Sequence, residues 1–193
     1  MKFEIDEKDA LIVVDVQNCF CPGGAIPVSK GDEIVPVINK YIKKFKKIGA
    51  KIFATRDWHP RNHESFKTFG GKWPLHCVKG SKGAEFHPDL KLPIDTIILS
   101  KGEKPSVEGY SAFDHTDFQE KLENYGVERL FVCGLATDYC VKQTVLDALE
   151  LGYESVLLID AAKGVNANSN DVKKAIAEMI KKGARIARLE EFR

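Results

Sequence analysis

The chain repeats one pattern. A short, near-continuous apolar run ends at a polar residue, and an amphipathic stretch that ends at glycine follows further along. The apolar runs occupy 10–16, 51–57, 96–101, 130–133 and 155–160, with a weaker sixth at 184–187. They do not alternate as half-exposed strands do, and their β-branched content fits strands buried on both faces of a parallel sheet. The stretch 32–48 places Ile34, Val37, Ile38, Tyr41, Ile42 and Phe45 on one helical face and stops at Gly49. Three further helical stretches, 116–125, 139–151 and 170–182, stop at Gly126, Gly152 and Gly183, in the position where glycine closes a helix. This alternation predicts an α/β fold: a doubly wound, Rossmann-like, mostly parallel sheet of about six strands with helices on both faces. The 193 residues fit one domain spanning 1–193, without repeat or linker.

Composition removes several classes of function. A net charge of +1 gives no case for nucleic acid as a partner, and no stretch is apolar and long enough to cross a membrane. Acids stand in Met1–Glu7 where a signal peptide would be apolar, so a soluble, cytoplasmic protein is expected. The partner expected is a small molecule, with a homo-oligomer left open. The five cysteines are an odd number in a chain too large to need disulfide staples, so free thiols are the default.

In open α/β sheets, ligands bind beyond the carboxyl ends of the strands, where strand order reverses. Asp15, Asp57 and Lys101 stand at the ends of the first three runs. Cys140 follows the fourth, at the start of the 139–151 stretch. A thiol at a helix amino end is expected to have a depressed pKa and to serve as a nucleophile. The plainer alternative is a buried, inert cysteine. Lys101 can stabilise a thiolate, and Asp15 can take the thiol proton and pass it to a leaving amine.

The irregular stretches 18–31 and 58–91 exceed ordinary loop lengths, and their His, Trp and Phe content argues for function over disorder. Asp57 and His59 form a D-x-H pair whose side chains share one side of an extended segment, and His76 can close on the same ion. One divalent metal is implied, with zinc, iron and manganese all compatible with such donors. His63 is either a further ligand or a surface histidine, and His87 and His115 read as structural or exposed. Cys77, next to His76, would point away from the metal. Phe20, Trp73, Tyr110 and Phe113 are candidate pocket aromatics. Cys19 and Cys21 form a C-x-C that reads as incidental thiols.

Several ordered segments together resemble the isochorismatase-like cysteine hydrolases, and among them the nicotinamidases, over essentially the whole chain. They are Asp15-Val16-Gln17-Asn18, Pro22-Gly23-Gly24-Ala25, Asp57-Trp58-His59-Pro60 with His63 and Ser65-Phe66, and Trp73-Pro74 with His76-Cys77-Val78. Gly83-Ala84 with Phe86-His87-Pro88, Lys101-Gly102, Tyr110-Ser111-Ala112-Phe113 and the segment from Gly134 to Val141 complete the set. The resemblance implies a catalytic triad of Asp15, Lys101 and Cys140, and a metal, usually zinc or iron, on Asp57, His59 and His76. It also implies an oxyanion site at the N–H groups of Ala136 and Cys140, a cis peptide before Ala136, and a pyridine ring held by Phe20, Trp73 and Tyr110. The activity implied is hydrolysis of nicotinamide, and of pyrazinamide, through a cysteine thioester, as a step of NAD salvage. Other activities on this fold act on isochorismate, carbamoylsarcosine or ureido compounds. A non-catalytic metal-binding or thiol-sensing protein is the alternative from another class. The chain departs from the family in having Cys19 where Asp is usual and Ser81 where Thr is usual.

Overall fold

The structure, a computed structural model, describes residues 2–192. Six strands form one sheet: β1 (Asp9–Val14), β2 (Lys51–Asp57), β3 (Ile97–Lys101), β4 (Arg129–Leu135), β5 (Glu154–Lys163) and β6 (Arg185–Ala187). Their spatial order is β3-β2-β1-β4-β5-β6 and every pairing is parallel, where the sequence suggested mostly parallel. The chain winds outward from β1 to the β3 edge, returns to pair β4 with β1, and then winds to the other edge. Strand order therefore reverses between β1 and β4, and a crevice opens at their carboxyl ends.

All six β1 residues are buried, as a central strand covered on both faces requires. Leu11 and Val13 pack with Ile38, Tyr41, Ile42 and Phe45 of α1 (Val35–Ile48). Ala10, Ile12 and Val14 face the opposite layer. There they join Phe118 and Leu122 of α2 (Phe118–Asn124), Val145 and Ala148 of α3 (Lys142–Glu150), and Met179 of α4 (Asp171–Lys181). Each fully buried aliphatic or aromatic side chain in these layers contributes about 1.5–3 kcal/mol. This two-sided burial holds the strand ends, and what they carry, rigid.

Two expected helices start later than their periodicity suggested. The 32–48 stretch opens with a tight turn at Gly31–Ile34, and α1 begins at Val35 with Pro36 in its first turn, where the missing N–H costs nothing. The 139–151 stretch is helical only from Lys142. An irregular turn, Thr137–Val141, precedes it, with Tyr139 outside helical space (φ −126°, ψ −106°). Periodicity reports which face is apolar, and Val141, Val145 and Ala148 do share the core face. It is blind to the backbone angles of the residues before them.

Gly134, in β4, has φ +113°, and a Cβ there would collide with the Val14 backbone. Only glycine permits β1 and β4 to approach so closely. The register of β4 on β5 also shifts between Val132 and Gly134, which re-aims the chain leaving β4.

The stretches 18–31 and 58–91 hold only short single-turn helices and isolated bridges that lie outside the named strands. Contrary to the expectation of free thiols, Cys19 and Cys77 form a disulfide across them. The expectation failed because the two residues lie 58 apart in sequence, and nothing local signals that the loops meet. Cys21, Cys133 and Cys140 are free and buried.

Candidate active site

Asp15 leaves β1 with φ +48°, which turns its side chain out of the strand pattern and into the crevice. Thr55, on β2, holds it there. The Thr55 hydroxyl donates to Asp15 Oδ1 at 2.6 Å and accepts the Asp15 N–H at 3.2 Å. Lys101 ends β3, and its ammonium lies 2.9 Å from Asp15 Oδ2, 2.7 Å from Asp57 Oδ1 and 3.7 Å from Cys140 Sγ. It also donates to the Gly109 carbonyl at 2.8 Å. Asp15 and Lys101 are 0% and 1% exposed, so this network is dry.

Dryness sets the protonation pattern. Burial pushes the Asp15 carboxyl up, against the pull of Lys101. Burial alone would lower the Lys101 ammonium, but the Asp15 and Asp57 carboxylates outweigh it and hold the charge. The Cys140 thiol stands well above its ordinary range because burial dominates, and Lys101 offsets only part of this. The expected depressed thiol is therefore corrected. The irregular turn does not present Cys140 as the first residue of a regular helix, and the site excludes water that would solvate a thiolate. The neighbouring Asp15 and Asp57 carboxylates push the thiol further up.

Asp57, His59 and His76 are buried, and one donor atom from each lies within 4.8 Å of the others. His59 Nδ1 faces the Gly102 carbonyl at 3.0 Å, and His76 Nδ1 faces the Pro74 carbonyl at 2.8 Å. Each carbonyl accepts the Nδ1 proton, which leaves the Nε2 lone pair for a ligand, as metal-binding histidines require. Gly102 has φ +61°, and a Cβ there would strike the His59 ring, so glycine keeps that support in place. Lys101 and Asp57 pull on each other, and Asp57 stays well below the usual carboxylate range although burial opposes this. Two carboxylates against one ammonium leave the buried site short of positive charge, which suits a dication. The donor set thus fits a divalent metal.

His63 is not a surface residue: it is 1% exposed, with Nδ1 at 2.7 Å from Ser65 Oγ and Nε2 at 3.0 Å from the Val107 carbonyl. Its ring lies tilted at 4.2 Å from that of His59, but both of its nitrogens are occupied. His115 is exposed, and half-buried His87 accepts the Asp89 N–H at 3.2 Å.

A cleft of about 430 Å³, counting its open mouth, joins the thiol to the donor set. Phe20, Trp73, Tyr110, Tyr139, Ala136 and Leu135 line it together with Asp57, His76 and Cys140. Trp73 Nε1 donates to the Tyr110 hydroxyl at 3.1 Å, and Tyr139 packs against both rings. Phe113 does not join them; it packs on Phe118 and Tyr153 in the core, as an apolar ring without a polar edge does by default. The Leu135–Ala136 peptide is cis, as the resemblance implied. The Ala136 carbonyl accepts from Tyr139 and Val141, at 3.0 and 3.2 Å.

The isochorismatase domain family matches residues 9–191. The chain belongs to the isochorismatase family. It is 40% identical to a nicotinamidase of Escherichia coli, over 95% of this chain and 96% of that protein. It is similar to the crystal structure of a pyrazinamidase of Pyrococcus horikoshii in complex with zinc, at 50% identity and a TM-score of 0.91, over 94% of this chain and 99% of that one. The structure of PnC1 from L. infantum in complex with nicotinate superposes with a TM-score of 0.92 at 33% identity, over 100% and 99% of the two chains.

Two polar residues that hold this isochorismatase-family site together have roles that the sequence does not assign. Thr55 interrupts an apolar run, which was its only signal. Gln17 is fully buried; its amide donates to the Asp57 and Ala84 carbonyls at 2.8 and 2.9 Å and accepts the Asp57 N–H at 2.8 Å. It clamps the end of β2 to the 82–85 turn. On sequence grounds Tyr139 stands at a helix start and in the 134–141 segment, and is not among the candidate pocket aromatics.

Proposed function

We propose that this chain hydrolyses nicotinamide to nicotinate and ammonia, with pyrazinamide as a second substrate, as a step of NAD salvage, and that Cys140 is the nucleophile. The observation that carries this reading is the single ammonium of Lys101, which reaches Asp15, Asp57 and the Cys140 sulfur at once beside the aromatic cleft. The amide class rests on that constellation. The nicotinamide assignment rests on the E. coli relative and on the nicotinate-bound L. infantum structure.

In this mechanism Asp15 takes the Cys140 proton as the sulfur attacks the amide carbon. Lys101 stabilises the thiolate, and the tetrahedral oxyanion is held by the N–H groups of Ala136 and Cys140, where each donor is worth about 3 kcal/mol. Asp15, protonated in a dry site, gives its proton to the leaving nitrogen, and ammonia departs from a thioester. Asp15 then takes a proton from the water that attacks the thioester, and the thiolate leaves. Phe20, Trp73 and Tyr110 sandwich the ring. Asp57, His59 and His76 hold one divalent metal, and zinc is the assigned ion on the strength of the P. horikoshii complex. When bound, this Lewis acid holds a heteroaromatic nitrogen and acidifies water.

The test is ammonia release across a substrate panel. Nicotinamide and pyrazinamide should turn over well ahead of carbamoyl and ureido compounds, benzamide and isochorismate. Preference for any of the last group would overturn the substrate assignment.

A further inference from the structure

The Cys19–Cys77 disulfide lies outside the proposed chemistry, yet each half-cystine adjoins a residue of the cleft. Phe20 follows Cys19, and His76 precedes Cys77. The Phe20 and His76 rings meet 6.0 Å apart, so the bridge is backed by a second contact between the same two segments. Cys77 has φ +41°, an uncommon angle for a residue with a side chain, and its carbonyl accepts the His59 N–H at 3.0 Å. The bridge is therefore joined to two of the three metal donors: His76 through the chain and His59 through a hydrogen bond.

Other bonds between the loops fall elsewhere. Gln17 and Asn18 reach the carbonyls of Ala84 and Lys82, and the Asn18 N–H reaches Glu85. These hold the 82–85 end. Cys19, Cys77 and Ala84 form a small apolar cluster apart from the two main layers of the core. The bridge thus acts on the loops that form the cleft and not on the sheet.

We infer that the Cys19–Cys77 disulfide is a positioning clamp for the cleft, fixing His76 for metal and Phe20 for the substrate ring. This rests on the metal assignment and, for Phe20, on the amidase reading. Reduction breaks one Sγ–Sγ bond. With a phosphine reductant, the phosphorus takes oxygen from water and becomes a phosphine oxide, and the two protons of that water complete two thiols. The core keeps its packing, but the 73–78 segment loses its covalent tie to 18–20 and keeps the ring contact of His76 with Phe20. Supports of this kind around metal-binding histidines are worth about 10–100-fold in metal affinity.

The experiment compares zinc affinity and nicotinamide kinetics of the full chain in three forms: air-oxidised, phosphine-reduced, and the Cys19→Ser/Cys77→Ser variant. Circular dichroism and thermal melting verify the fold of each. The oxidised protein should show three alkylatable thiols on denaturation, and the reduced one five. Zinc affinity should fall about tenfold or more in both unbridged forms, with KM raised more than kcat is lowered. The double variant should not respond to the phosphine, while Cys21→Ser, which keeps the bridge, should respond as the parent does. Equal zinc affinity and KM in bridged and unbridged forms would overturn the clamp, as would five free thiols in the air-oxidised protein. Zinc binding does not require turnover, so failure of the amidase reading would leave that arm decisive.

Discussion

The two walls of the cleft are built differently. One comes from the sheet: the Cys140 turn follows β4, and buried Asp15 and Lys101, at the ends of β1 and β3, back it from just outside the cleft lining. The other comes from loops: Phe20, Trp73 and His76 lie in irregular segments held by Gln17, by backbone bonds and by one disulfide. In the proposed mechanism Asp15 and Cys140 transfer protons, which needs placement to a fraction of an ångström, and the sheet supplies it. A wall that admits a flat ring and releases its product has to open, and loops with separate ties allow that. Asp57 belongs to both, since it ends β2, bonds Lys101 and stands among the metal donors.

Substitutions on the sheet wall should therefore lower kcat, and those on the loop wall should raise KM or weaken metal binding. The largest effect is expected for Cys140→Ala: loss of ammonia release by about 10⁴-fold or more, with zinc content unchanged. Residual turnover near the parent level would show that another group attacks the amide. Next is metal removal. A chelator should abolish most activity, and zinc should restore it without refolding; full activity in metal-free protein would remove the metal from the account.

Thr55→Val comes third. It keeps the shape of the side chain but leaves Asp15 Oδ1 without its donor, at a cost of about 1.5–3 kcal/mol, or roughly ten- to hundredfold in kcat. An effect confined to KM would place Thr55 on the wrong wall. Tyr110→Phe removes the acceptor of the Trp73 indole N–H. KM should rise by about two- to tenfold, the equivalent of one neutral hydrogen bond, with kcat nearly constant.

The smallest expected effect concerns the resting thiol. Because burial raises Cys140, its alkylation rate in substrate-free protein should still climb with pH above about 8.5, the ordinary thiol value. A plateau below neutrality would instead indicate a preformed thiolate, stabilised by more than Lys101.

The same contrast explains what the sequence could show. Strand ends are legible because apolar runs are, and the runs put Asp15, Asp57 and Lys101 at the carboxyl edge of the sheet. Parallel pairing follows from strand–helix alternation, whereas the place of the reversal, between β1 and β4, comes from the structure. Backbone geometry is not legible in this way. The kink at Tyr139 and the left-handed Asp15 leave the pattern of apolar residues unchanged. Burial of the site was underestimated as well. Local sequence leaves His63 open between a further ligand and a surface residue and favours an activated Cys140, because it does not say how much of a loop folds over a strand end. The disulfide is the clearest case: it is a contact between two loops, and neither carries a sign of the other.

The central claim is that Cys140 attacks a carbonyl carbon attached to a ring held in the cleft. A crystal structure of the zinc-loaded protein with pyridine-3-carbaldehyde tests it most directly, since the aldehyde can accept the sulfur but has no amine to lose. A covalent bond from Cys140 Sγ to the aldehyde carbon is predicted, with the new oxygen facing the N–H groups of Ala136 and Cys140. An aldehyde that lies in the cleft unbonded to Cys140, or that is bonded to another side chain, would contradict it.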